Sequence, residues 1–413
     1  MEQNPAALAQ QLLITLAIIL AAGTLVGKVA NWLNIPDVVF FLLTGLMIGS
    51  SGLGLVNIPV NSVFNQGVLI LGASLLLFHG GTGVSFRVLR DVWLTLFLLS
   101  TLAVIVMTMI VGYAAHLIFG ISLMYALLLA AIIAPTDPAT LVPIFLSVGV
   151  KERLSQTVIS ESAFNDATGA IATFTILGIL TTGQYSAFAS LEKFLVMAGG
   201  GIFVGAVYGL LVGYLISIKS RHVFSEYAQV LTLPLIIAAY MTAEHFGASG
   251  FMAVFIAGLV IGNLEECAWT MPEKHHGEMH AFIANMSLLV RMIIFILLGT
   301  QVNLNVVAQY LLPASAVVAV FIFIARPLAV LLCVLPDRAA KWERNEILFM
   351  FWTRETGVIP AALVGIITGM GIEHGDIISS VTFLAILATL ILQATSTPWL
   401  AQKLNLLVLP KDG

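Results

Sequence analysis

In the stretch AIIAPTDPATLVPIFL, Pro135 and Pro138 flank Thr136 and Asp137 inside a run otherwise as apolar as lipid. A helix holding either proline must break, because each lacks a backbone donor and crowds the preceding turn. Carbonyls near Ala131 and Ala134 then lose their partners and can coordinate a cation. Asp137 falls in the break, where a half-helix N-terminus stabilises negative charge. Further along, TVISESAFNDATGAIATF carries Glu161, Asn165 and Asp166. On a helix, Ser162 and Asp166 share one face, while Glu161 and Asn165 form a parallel row about 100° around. Charge at membrane depth is costly and marks an ion pathway by default. Oxygen ligands from Asp166, Ser162 and the Thr136 region suit a hard monovalent cation. Desolvation penalises the charged form of Asp166, so a proton and a metal ion compete for one carboxylate, and that competition yields obligatory exchange. Glu161 reads instead as a structural anion that needs a cation. Arg326 in FIARPLAV is the first choice. Arg354, just before a second break, is placed to neutralise half-helix ends, and Arg291 either does the same or snorkels.

The elements that hold these residues are membrane spans. The chain has 413 residues, 60% hydrophobic and only 9% charged, against roughly a quarter charged in a soluble globule. Mean hydropathy is +1.05. Apolar runs of about 20 residues, each able to cross hydrocarbon of roughly 30 Å, begin near Leu8, Asp37, Val63, Val92, Ser122, Leu154, Glu192, Glu226, Ser249, Ala281, Val306, Asn345 and Asp376. The expected fold is an all-α integral membrane protein of about thirteen transmembrane helices. Cytoplasmic loops should hold the Lys and Arg. With the N-terminus outside, the inward loops contain Lys28, Arg87, Arg90, Lys151, Arg153, Lys219, Arg221, Lys274, Arg338, Lys341, Arg344, Lys403 and Lys411, and the outward loops only Lys193. The chain is therefore expected to be multi-pass in the cell membrane, N-terminus outside and C-terminus cytoplasmic. The first apolar run is long and lacks a basic n-region, so it reads as a retained helix. Net charge of −4 gives no reason to invoke nucleic acid.

The sequence resembles itself. TGLMIGS at 44–50 recurs as AGLVIGN at 257–263, GTGVSF from Gly81 matches GTQVNL from Gly299, and Pro138 pairs with Pro360 in RETGVIPAALVGI. Matched segments lie an odd number of spans apart, so the copies have opposite orientations. This implies two inverted six-helix repeats, 8–180 and 226–406, joined by a linker helix over 191–218, with two crossed broken helices at the centre.

Together, APTDP and ESAFND resemble the cation/proton antiporter superfamily, and the Asn165 and Asp166 pair resembles its monovalent cation:proton antiporter 1 branch of sodium/proton exchangers. GLMIGSSGLGL, GASGFMAVFIAGLVIGN and ARPLAV extend the likeness over nearly the whole chain. By that resemblance Asp166 carries ion and proton. Thr136, Ser162 and Glu161 contribute to the ion site, Asp137 sits at the crossing, and Asn165 belongs to a pair associated with electroneutral exchange. The resemblance also implies a homodimer with a static interface domain and an elevator-like mobile core. Sodium or lithium is the expected cation, potassium the alternative, and no prosthetic group is expected. The sequence departs from the family pattern at His79, where members often carry an acid, and at RETG, where many have arginine directly before the glycine.

Other signals are weaker. Gly201, Gly205, Gly209 and Gly213 form a stripe for close packing, expected within the chain. MPEKHHGEMH, with His275, His276 and His280, reads as a solvated connection rather than a pH sensor. Cys267 and Cys333 suggest neither disulfide nor metal site. A channel, or an aspartyl protease using Asp137 and Asp166, fits less well than an exchanger, because the inverted repeat and one titratable centre suit alternating access.

Overall fold

The computed structural model describes residues 5–33, 36–136, 145, 149–183, 187–217, 224–267 and 269–407. Among them, eight helices are long and apolar enough to cross a membrane, and four shorter apolar helices accompany them. In chain order they are α1 (Pro5–Leu33), α2 (Asp37–Ile48), α3 (Val63–Thr82), α4 (Phe86–Ser100), α5 (Leu102–Phe119), α6 (Leu123–Ile133), α7 (Glu152–Thr182), α8 (Ala187–Ile216) and α9 (Ala228–His245). Then follow α10 (Gly250–Gly262), α11 (Glu273–Gln301), α12 (Leu304–Val320), α13 (Arg326–Val334), α14 (Arg344–Trp352), α15 (Val358–Gly369), α16 (Gly375–Ala388) and α17 (Thr395–Lys403). A π-helical turn, Phe321–Ala325, joins α12 to α13, and another, Thr389–Ala394, joins α16 to α17. Every expected span coincides with a helix or a broken pair of helices.

Local chemistry sets the ends. Ser62 and Ser249 cap α3 and α10 by accepting from Asn65 N and Met252 N, each at 3.2 Å, which satisfies donors that a helix start leaves orphaned. Glu343 and Glu346 form a reciprocal capping box on α14. Gly183, at φ +66°, ends α7 in the left-handed conformation that favours glycine. The solvated connection MPEKHHGEMH takes helical form, its residues from Glu273 on making the first turns of α11. Glu273 in that first turn complements the positive helix N-terminus, and the helix continues through His275, His276 and His280.

The helices pack as two groups. α1, α2, α3, α8, α9, α10 and α11 form one, and α4 to α7 with α12 to α17 form the other, α15 packing against both. In the first group α3 lies on α10 and α2 on α11. A Cβ on Gly45 would meet Ile296 O at 2.1 Å and Gly299 Cα at 2.9 Å, and one on Gly299 would meet Leu42 O at 2.3 Å. The second seam repeats the first: a Cβ on Gly81 would meet Phe255 O, and one on Gly258 would meet Phe78 O, both at 2.3 Å. These four glycines are the ones the sequence matches in pairs, Gly45 with Gly258 and Gly81 with Gly299. Gly299→Val should therefore force α11 off α2, read as aggregation in fluorescence-detected size exclusion. The stripe Gly201, Gly205, Gly209 and Gly213 also packs within the chain, against residues 249–264 of α10 and its flanks.

At one end of the second group, three connections meet. Lys151 N donates to Leu406 O at 3.0 Å beside a bridge between Val150 and Leu407. Lys151 pairs with Glu343 and Arg153 with Glu346, both at 3.0 Å, and the Arg153 guanidinium lies 4.2 Å over the Trp342 ring. Asp337 accepts from Thr95 N, Thr95 Oγ1 and Ala340 N.

Candidate functional site

The site grows from the first break. α6 runs to Ile133, and Ala134, Pro135 and Thr136 leave it at depth, with Thr136 only 4% exposed. Asp137 and Pro138 lie outside the described residues. α7 passes beside the break and presents Glu161, Ser162, Asn165 and Asp166, all buried. Close approach depends on Gly169, because a Cβ there would meet Pro135 Cγ at 2.2 Å. Gly169→Ala should push the break away from α7 and lower exchange by about tenfold or more, measured as initial rate in proteoliposomes.

Asn165 ties the two elements together. Its Oδ1 accepts from Thr136 N at 3.0 Å, and its Nδ2 donates to Thr136 Oγ1 at 2.9 Å. The peptide donor freed by the break is thus satisfied by a side chain, as burial in hydrocarbon requires. Along the other face, Ser162 is fully buried, and its hydroxyl has no hydrogen-bond partner among the described residues. Asp166 is 5% exposed, one turn beyond Ser162.

Glu161 and Arg326 meet as a two-pronged pair: Nη1 donates to Oε1, and Nη2 to Oε2 at 3.0 Å. Arg326 Nε donates to Met350 O at 3.0 Å. Both side chains are almost fully buried, so the pair adds polarity to the core without net charge. Arg326 opens α13 directly after the π-helical turn Phe321–Ala325, and such turns re-aim side chains at functional positions. Arg354 does not join Glu161 by a hydrogen bond among the described residues. Its Nη2 donates to the carbonyls of Ala134 and Ile133, and its guanidinium lies 3.9 Å over the Phe321 ring. It stands on the second break, residues 353–357, and covers the negative C-terminal end of α6. That contact, with α15 packed on α6, brings the two breaks together. Arg291 lies elsewhere, paired with Asp37 at 3.2 Å.

His79 lies on the last turn of α3. His276 and His280, one turn apart on α11, are hydrogen-bonded Nε2 to Nε2 at 3.2 Å with their rings tilted. Cys333 is free and buried. Three buried groups were not singled out from sequence: Glu355, Thr356 and Gln393, each 1% exposed or less. A lone glutamine in the apolar run ILQAT was the available signal for Gln393.

Known proteins carry the same architecture. The sodium proton antiporter MjNhaP1 from Methanocaldococcus jannaschii superposes with a TM-score of 0.84 at 30% identity, covering 95% of this chain and 99% of that one. A probable Na(+)/H(+) antiporter 2 of the same organism is 29% identical over 96% of this chain and 97% of its own length. The K(+)/H(+) antiporter NhaP of Alkalimonas amylolytica is 28% identical over 97% of this chain and 68% of its own. The family model described as sodium/hydrogen exchanger, transmembrane, matches residues 16–403. With its broken helices and its buried carboxylates, the chain belongs to the sodium/hydrogen exchanger family.

Proposed function

We propose that this protein exchanges a monovalent cation, sodium or lithium, for a proton across the cell membrane by alternating access, with both ions competing for Asp166. The observation that carries the reading is a buried carboxylate, Asp166, one turn from the buried Ser162 hydroxyl, which has no hydrogen-bond partner among the described residues, on a helix tied by Asn165 to a broken neighbour. In this reading Asp166 and Ser162, with oxygens around Thr136, replace the shell of a dehydrated cation. Protonated, Asp166 loses the charge that holds the metal, and the proton makes the return journey. One carboxylate serving one ion at a time moves one charge each way, which is electroneutral. Glu161 contributes by shaping the site while Arg326 cancels its charge, and Arg354 holds the two breaks together.

The glycine seams support a division into repeats 8–180 and 226–406 around a linker over 191–218. The first helix group then acts as the fixed interface domain of a homodimer, and the second moves with the ion. The charge partition supports an N-terminus outside and a C-terminus in the cytoplasm, and the exchange serves pH and sodium homeostasis. Potassium remains the second cation, since a relative of similar identity is named for K(+)/H(+) exchange. The test is dequenching of a pH-sensitive dye in proteoliposomes under an imposed pH gradient, with sodium, lithium and potassium added in turn. Responses to sodium and lithium are expected. A response to potassium alone would reassign the cation, and silence with all three would overturn the reading.

A further inference from the structure

A second set of buried polar groups lies at the other break and has no part in holding the ion at Asp166. Trp352 Nε1 donates to Ser396 Oγ at 2.7 Å, and Thr356 N donates to Thr389 Oγ1 at 3.0 Å. Residues 352–356 therefore run antiparallel along the π-helical turn Thr389–Ala394 and the start of α17. Gln393 falls between these two anchors and is 1% exposed. Neither atom of its side-chain amide has a hydrogen-bond partner among the described residues. The same is true of the Thr356 and Thr382 hydroxyls and of Arg354 Nε and Nη1. Glu355, fully buried, stands in the same stretch.

Leaving such groups dry in a membrane interior is strongly unfavourable. A polar pocket with several donors and acceptors fills with water instead. A π-helical turn supplies room, because it widens the helix locally. At 100° per residue, Ser379, Thr382, Ile386 and Thr389 fall on one face of α16, and Gln393, about one turn further along the wider π-helical turn, continues that face. At the far end, Ser379 and Ser380 line a cavity of about 430 Å³ together with Gln301, Asn303, His374 and Asp376. The charge partition puts that end outside.

We propose that water runs from this outer cavity down the Ser379–Gln393 face, inside the second helix group, to Glu355 at the second break. It forms a hydrated half-route of about 20 Å that admits protons from outside, separate from the seam between the two helix groups. Its use in exchange rests on the antiport reading, but its existence does not.

The test uses full-length protein with Cys267→Ser and Cys333→Ala, in right-side-out vesicles. Single substitutions Ser379→Cys, Thr382→Cys, Gln393→Cys and, facing lipid, Ile391→Cys are exposed to external silver ion, which bonds thiolate, the form that water supports. Later alkylation under denaturing conditions counts the thiols that escaped. Cysteines at 379, 382 and 393 are expected to react at least about tenfold faster than at 391. Rates at 382 and 393 equal to that at 391, or reaction only with silver inside, would overturn the route. Radiolytic footprinting of the unsubstituted protein gives a second measure. Ile386 has no exposed surface, yet it should be oxidised well above Phe255, and equal oxidation would overturn the route without any mutant. Labelling needs no turnover, so Asp166→Asn, which tests the exchange, should leave it unchanged.

Discussion

Purified Asp166→Asn protein, reconstituted under a pH gradient, should release no protons when sodium, lithium or potassium is added. Asparagine keeps the shape and one oxygen, but it neither takes up a proton at working pH nor offers charge to a dehydrated cation. Losing that charge partner at a site 5% exposed removes about 3 kcal/mol or more of ion stabilisation, roughly a hundredfold or greater. The dye signal should therefore fall to that of empty liposomes. Size exclusion should be unchanged, because the ties across the break belong to Asn165 and Thr136. Normal exchange by a well-folded Asp166→Asn protein would remove Asp166 from the mechanism altogether. Asp166→Glu, which keeps the charge but lengthens the arm, should retain a small fraction of the rate.

The second large effect concerns stability. Arg326→Ala leaves the Glu161 carboxylate buried without its cation and strips Met350 O of its donor. Breaking a buried pair from one side costs about 3–5 kcal/mol. Glu161→Gln strands the guanidinium in the same way, though the amide can still accept one hydrogen bond. Both variants should lose detergent-solubilised thermal stability by about 5–10 °C, with transport falling in parallel. The double variant Glu161→Gln, Arg326→Met should recover part of the loss, since no lone charge remains. If each single variant unfolds like the wild type, the pair carries no folding role. Arg354→Lys makes a useful contrast, because an ammonium cannot both reach two carbonyls of the α6 end and lie flat over Phe321.

Much of this was legible in the residues because a bilayer forbids what it cannot solvate. Pro135 forced the break, and Glu161 and Asp166 in lipid-like sequence could only face the protein interior. The paired glycine motifs pointed to an internal repeat, and the structure sets those glycines in two like seams, where the same backbone contact demands the same missing side chain. Arg326 was the first choice as the Glu161 partner and the structure pairs the two, but the residues alone left Arg354 open as the alternative. Both lie at suitable depth, and the decision turns on the π-helical turn before Arg326, which periodicity does not reveal. The helical form of the histidine segment was not read from its polarity, because polar residues extend a helix readily once it leaves hydrocarbon. Glu355 and Gln393 are isolated in sequence, and only the alignment of residues 352–356 with the turn at 389–394 brings them together.

The two glycine seams bear on where motion can occur. Where backbone rests on backbone there are no rotamers to rearrange, so such a contact cannot yield gradually and must either hold or come apart. The boundary between the two helix groups is built differently. There Phe164 meets Phe255 edge-on at 4.6 Å between ring centres, and Leu69 fills the space beside Gly365. Side chains of this kind can re-seat in steps, as in the shear of packed helices. The seams thus act as welds and the aromatic boundary as a bearing, so wear from a bulky substitution should appear as lost stability at the first and as altered turnover at the second.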